Sequence, residues 1–338
     1  MTLNALWYVL FIGIIAAYVV LDGFDLGVGI LHPFVPKGDR EKRISLNSIG
    51  PVWDGNEVWL VVGGGVLFAA FPEVYATLFS GFYPAFMLVL AFLILRAVSI
   101  EFRSKRTSAG WRNLWDWIFG IASLLLALLL GVAFGNIAQG VPIDASHNIR
   151  FNPIDLLHPY ALLVGVTAVA MLAQHGAIYL ALKTEGDLQR RARWAASRLI
   201  VAFIVLIVLT GIATAVFQPH LMAPYRRIWP LIVPVAAVAA IANIARENRQ
   251  HNELMAFASS CAGIGLLLAS VGLGQFPAVL TSSLGSAYSL TVGNSMSSPL
   301  TLTVMLVMAV IGMPLVVAYT IGVYWLFRGK VNLGERSY

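Results

Sequence analysis

The chain has 338 residues, of which 59% are hydrophobic and only 11% charged, and it carries a formal net charge of +6. Its mean hydropathy of +0.81 sets it far from soluble domains, in which about 25% of residues are charged. The single cysteine, Cys261, excludes an internal disulfide, a cysteine redox pair and a thiolate metal site; it reads as a small buried apolar residue.

Apolar runs bounded by charges, Pro and Gly clusters predict nine membrane-crossing helices. They lie near 5–31, 53–71, 77–103, 114–138, 157–183, 195–217, 228–246, 254–276 and 301–327. The first lacks a basic start and a small-residue cleavage pattern, so it reads as a retained helix rather than a signal peptide. The second is short, Gly-rich and acidic. With the N-terminus outside, loops 32–52, 104–113, 184–194 and 247–253 and the C-terminal tail are cytoplasmic. That side collects nearly all of the 22 Lys and Arg, including Arg336 in the tail, and leaves Arg150, Arg226 and Arg227 outside and Arg96 inside a span. This is the positive-inside pattern. The expected architecture is an all-α polytopic membrane protein, N-out and C-in, forming one integral domain over 1–338. Basic loops then serve orientation and contact with anionic lipid, and nucleic acid is not needed to explain the charge. "GVGILH" and "VVGGGV" lack the lysine or strand context of a nucleotide site, which excludes an ATP-driven pump.

The first helix ends in "VVLDGFDLGVGILHPF". Asp22 and Asp25, three residues apart, share one face, and Gly23 and Gly27 permit close approach of another helix beside them. The spacing of "DGFDLG" does not fit a calcium loop. The second helix opens with "VWDGNEVWLVVGGG", placing Asp54 and Glu57 in its first two turns, at the depth of Asp25. Arg96, in "LILRAVSIEFRSK", lies about 10 Å inside the end of the third helix at 1.5 Å per residue. Four acids and one arginine thus fall in the cytoplasmic third of three helices. Unpaired charges there are costly, and Arg96 is the natural partner for one or two of the acids. The others are either proton carriers or members of a structural ion-pair network, with Trp53 and Trp59 as interfacial anchors. Position alone leaves both readings open.

Of six histidines, His32 and His158 sit at helix ends, and only His175, in "MLAQHGAIYLALKTEG", lies well inside a span, beside Gly176. It reads as a hydrogen-bonded core residue, and haem is not expected on this chain. "GVAFGN" carries a second close-packing pair, Gly131 and Gly135. The charge-free stretch "SSLGSAYSLTVGNSMSSPLTL" (282–302) reads as an outside loop, either packed against protein, a partner included, or an ordinary solvated one.

"DGFDLGVGIL", "NSIGPVWDGNEVWLVVGGGVLFAAFP", "FSGFY", "RNLWDW", "GVAFGN" followed by "QGVP", and "SSPLTLTVM" occur in order from residue 22 to about 305. Together they resemble subunit II of the cytochrome bd-type quinol oxidases, a family that includes a cyanide-insensitive branch. The resemblance implies two four-helix bundles plus one peripheral helix, in the bacterial inner membrane. It implies a haem-bearing partner, subunit I, which holds two haems b and one haem d and oxidises quinol while reducing dioxygen to water, electrogenically and without pumping. This chain would then be a non-haem-bearing subunit of that oxidoreductase. A small single-helix accessory subunit, bound lipid and a structural quinone are further candidates for association. In such a subunit Asp22, Asp25 and Asp54 are associated with a proton route from the cytoplasm. Trp59 is associated with an oxygen passage. Glu57 stands where many relatives have Gln, and either adds a relay position or pairs with Arg96. The rival reading is a proton-coupled secondary transporter using the same acids.

Overall fold

The computed structural model describes residues 2–149 and 152–333, save the side chain of Pro153. Arg150 and Arg336, counted above in the charge asymmetry, lie outside the described residues. The helix α1 (Leu3–Leu31) begins at Thr2, whose hydroxyl accepts from the Ala5 amide at 3.3 Å. The expected loop after it contains a helix, α2 (Gly38–Ile49). The sequence "GDREKRISLNSI" is too polar to cross a membrane, but Leu46 and Ile49 fall on one side and are fully buried.

The helix α3 (Trp53–Ala70) has 18 residues, about 27 Å at the helical rise and short for a hydrocarbon core of about 30 Å. Pro72 stops it, because proline cannot continue the hydrogen-bond ladder. The chain turns by 120° into α4 (Pro72–Gly81). The third expected span therefore starts at Tyr83 instead of residue 77, in α5 (Tyr83–Arg103) with Pro84 in its first turn.

There follow α6 (Ala109–Gln139), α7 (Pro159–Lys183), α8 (Gly186–Phe217), the single turn α9 (Pro219–Met222), α10 (Ile232–Arg249) and α11 (Glu253–Gln275). A two-stranded antiparallel ribbon, β1 (Ala278–Leu280) and β2 (Leu290–Thr291), precedes the last helix, α12 (Pro299–Leu326). Helix α8 absorbs most of the basic segment expected as loop 184–194. That stretch has no helix breaker after Gly186, whose positive φ of 63° closes the turn from α7. Among the described residues, eight helices are long and apolar enough to cross a bilayer alone, and the bent α3–α4 pair makes nine.

Helices α1 and α7 form the centre. A Cβ on Gly27 would stand 2.0 Å from the Leu172 carbonyl oxygen, and one on Gly176 2.3 Å from the Gly27 backbone, so the two backbones touch only as glycine. Gly131 and Gly135 of α6 meet α7 in the same way, where a Cβ would come within 2.7 Å of Ala168 and 2.8 Å of Ala161. Helix α6 continues to α5 on one side, α1 also meets α3, and α8 and α11 flank α7 on the other, with α10 packed against those two. Helix α12 lies along α1 and α3 with most of its surface exposed. Segment 282–302 packs on the chain's own body: the Ser282 hydroxyl donates to the Ile143 carbonyl at 2.8 Å and that of Ser297 to Ala69 at 2.6 Å. Cys261 is half-buried and free.

Candidate functional site

The acids of α1 are held quite differently from each other. Asp22 and Arg96 are both fully buried. The guanidinium grips the carboxylate with two nitrogens, Nη1 donating to Oδ2 at 3.0 Å and Nη2 to Oδ1. A bidentate pair of this kind is the geometry in which a buried charge is best compensated.

Asp25, one turn along, is also fully buried but has no ion pair among the described residues. Its Oδ2 accepts from Asn56 Nδ2 at 2.7 Å, and its Oδ1 has no hydrogen-bond partner. Asn56 belongs to α3 and comes from the same "WDGNE" stretch, yet its role is not evident from the sequence. Its amide also donates to the Leu21 carbonyl at 3.2 Å, while its Oδ1 accepts from the Tyr324 hydroxyl at 2.8 Å. Beneath the cluster, Phe24 stacks on Tyr179 with ring centroids 3.9 Å apart, and the Tyr179 hydroxyl donates to the Ser48 carbonyl at 3.0 Å.

Thus α3 meets Asp25 through Asn56, not through Asp54 or Glu57 as the spacing suggested. Asp54 points outward and is exposed, whereas Glu57 is half-buried and within electrostatic reach of Arg96, Asp22 and Asp54. The reason is helical phase. Residues 54, 58, 61, 65 and 68 follow one exposed stripe of α3, and Asn56, Gly63, Leu67 and Ala70 lie on the buried side. Trp59 is half-buried between the two faces.

A second charged cluster lies beyond the end of α1. Asp116 of α6 accepts from Arg103 Nε at 2.5 Å and Lys42 Nζ at 2.9 Å, and bonds His32 Nε2 at 2.7 Å. Arg103 extends the cluster to Asp39 at 3.0 Å, and Asp39 to Arg112 at 3.0 Å. Arg103 and Asp116 are 2% exposed and His32 is wholly buried. Burial lowers the His32 pKa, with Asp116 opposing the shift. Asp116 stands in "RNLWDW", a stretch with an evident acid but no visible partner in the sequence.

Among the described residues, His175 is the one histidine inside a membrane-spanning helix away from its ends. Both ring nitrogens of His175 are engaged, Nδ1 with the Ser260 hydroxyl at 2.8 Å and Nε2 with the Val20 carbonyl at 3.0 Å. The ring also stacks on Phe257 at 4.9 Å. Among the described residues no cluster of His, Cys, Asp and Glu could hold a metal ion.

These features define a polytopic helical membrane protein whose core holds an ion-paired carboxylate beside one that is not. The model of the family "cytochrome bd terminal oxidase subunit II" matches residues 3–327, and the chain belongs to that family. It is 37% identical over 336 residues to cytochrome bd ubiquinol oxidase subunit 2 of Bacillus subtilis, covering 99% of this chain and 98% of that protein. To cytochrome bd-I ubiquinol oxidase subunit 2 of Escherichia coli K12 it is 36% identical over 361 residues, covering 98% and 95%. The fold is shared with a solved structure described as the bd oxidase from Geobacillus thermodenitrificans, with a TM-score of 0.79 at 16% identity, covering 97% of this chain and 98% of that one. The protein is therefore a transmembrane subunit of an oxidoreductase complex of the cytochrome bd quinol oxidase type, and membership implies a subunit I partner carrying the haems.

Proposed function

We propose that this chain works as the haem-free subunit II of a bacterial inner-membrane terminal oxidase, N-terminus outside and C-terminus in the cytoplasm, and that its acids conduct protons towards the oxygen-reducing centre of subunit I. The haems of the partner supply the electron transfer and oxygen chemistry. The observation that carries the proton reading is Asp25, a fully buried carboxylate with one amide donor, an oxygen without a partner and no ion pair among the described residues. A carboxylate kept only to pin helices would be expected to resemble Asp22, matched on both oxygens by Arg96.

Protons would enter at the exposed Asp54 and pass Glu57, with Asp22 and Arg96 fixing the local charge beside Asp25. The exposed stripe of α3, with Asp54, Val58, Val61, Gly65 and Phe68, is the face we assign to subunit I. Gly65 has nothing within 4 Å of an added Cβ, so a partner helix has room to approach, and cover by protein would shield Asp54 from lipid. Trp59, half-buried beside this stripe, is the residue we assign to an apolar oxygen passage.

The test is quinol-driven oxygen uptake by the complex purified with subunit I. Asp54→Asn and Asp25→Asn should slow uptake while haem content and subunit stoichiometry stay native. Loss of the assembled, haem-loaded complex in both would make these acids structural and overturn the proposal.

A further inference from the structure

Helix α12 is sparsely buried along its length, with Leu302 its one buried residue, yet its cytoplasmic end is fastened with unusual care. Lys183, the last residue of α7, donates to the carbonyls of Phe327 and, at 2.8 Å, Gly329, beyond the end of α12. Lys330 returns the contact, donating to the Ala181 and Thr184 carbonyls at 3.3 and 2.9 Å, and the Val331 amide bonds the Lys183 carbonyl at 2.9 Å. Each lysine thus satisfies carbonyls left open where the other's helix ends, where positive charge is also favoured. The clasp fixes the rotation and height of the final turn of α12, which carries Tyr324.

Tyr324 is the sole side chain of α12 that bonds the acid cluster among the described residues. Asn56 must point its NH2 towards α1, because the Leu21 carbonyl accepts only from a donor, and this leaves Oδ1 for the Tyr324 hydroxyl at 2.8 Å. Three helices are joined in one chain of bonds, Tyr324 to Asn56 to Asp25. A hydroxyl donated to the amide oxygen polarises the amide and strengthens its N–H donation to the carboxylate. We propose that Tyr324, held in register by the Lys183–Lys330 clasp, is a positioning residue for Asp25 acting through Asn56, so that the last helix tunes the proton-carrying group of the oxidase. The inference rests on the reading of Asp25 as a proton carrier.

Besides Asn56 and Tyr324, the titratable groups facing Asp25 are Asp22 from α1, Glu57 from α3, Arg96 from α5 and Tyr179 from α7. Tyr324→Phe leaves all of these in place and removes one oxygen. In the intact complex, the pH profile of quinol-driven oxygen uptake should move towards higher pH by about 0.1–0.6 unit, the 10–30% by which one charge-assisted hydrogen bond is strengthened cooperatively, because the Asn56 donor is retained but weakened. Lys330→Met should move it in the same direction by less, and Lys330→Arg should restore it. A purely structural tyrosine would lower the amount of complex without moving the profile. A native profile in Tyr324→Phe, with a displaced one in Asp25→Asn, overturns the positioning role and leaves the proton reading standing. Native profiles in both overturn the two together. If Tyr324→Phe does not assemble, the Lys330→Met and Lys330→Arg pair decides: an unmoved profile in Lys330→Met overturns the proposal.

Discussion

Arg96→Leu is the most informative single perturbation of the charged core. The guanidinium is fully buried and supplies both donors to the buried Asp22 carboxylate. Its removal leaves Asp22 as a charge without compensation in a region closed to water. Breaking one side of a buried ion pair costs about 3–5 kcal/mol, whereas replacing both sides with apolar residues of similar size is neutral or stabilising. At 1.36 kcal/mol per decade, the single substitution should shift the folding equilibrium by about two to nearly four orders of magnitude. The double variant Arg96→Leu with Asp22→Leu should recover most of that loss. The assay is a thermal ramp of the detergent-solubilised complex followed by haem absorbance and subunit retention, run as a double-mutant cycle. The reasoning is refuted if Arg96→Leu is as stable as the native complex, or if the double variant is no better than the single one.

Gly27→Ala should prevent normal assembly, because its Cβ would meet the Leu172 carbonyl oxygen at 2.0 Å; blue-native electrophoresis should show the intact complex lost, whereas Gly13→Ala, with open space around its Cβ, should assemble. His32 gives a pH dependence. Its folded pKa lies below the ordinary value of 6.5 because it is buried, so its contribution to stability is present above about pH 6.5 and is lost as pH falls through the lowered folded value. The midpoint of haem loss on heating should therefore fall on acidification, and His32→Gln should flatten that acid limb; an unchanged limb would remove His32 from the account. Gly65→Trp, on the exposed stripe of α3, should weaken co-purification of subunit I while this chain still inserts, and undiminished co-purification would move the interface elsewhere.

The spans were legible because the apolar runs are long and the basic residues gather between them, signals that survive without knowing any contact. The break at Pro72 was less so: a proline near the end of an apolar run can equally close a span, and the 120° turn depends on what α4 packs against. The α2 helix was missed because its content is polar and only two of its four buried residues, Leu46 and Ile49, are apolar. In the site, the i, i+3 spacing of Asp22 and Asp25 and the depth of Arg96 pointed to helices that do meet, but not to which acid Arg96 grips. Spacing sets depth but not phase between helices, so Asp54 and Glu57 were expected where Asn56 stands. Tyr324 is separated from Asn56 by 268 residues, and no local pattern connects them. The His32–Asp116–Arg103 cluster was hidden for the same reason: each member is an ordinary helix-end residue until three helices bring them together.

The two clusters divide the electrostatics at this end of α1 in a way that bears on direction. Asp116 is matched by Arg103, Lys42 and His32, and Asp22 by Arg96, so each of these acids is surrounded by donors. A carboxylate compensated in this way is poorly suited to exchange a proton, since every bond that stabilises its charge must be weakened first. Beside Asp22, Asp25 has a single side-chain donor, itself bonded from α12, and Asp54 and Glu57 lie on or near the open face of α3. On the proposed reading, proton exchange would follow the α1–α3 seam, because the acid of the cluster beyond α1 is already matched by several donors. A route confined to that seam opens onto the same face of α3 that we assign to the haem-bearing partner. Proton delivery and subunit contact would then be two uses of one helix.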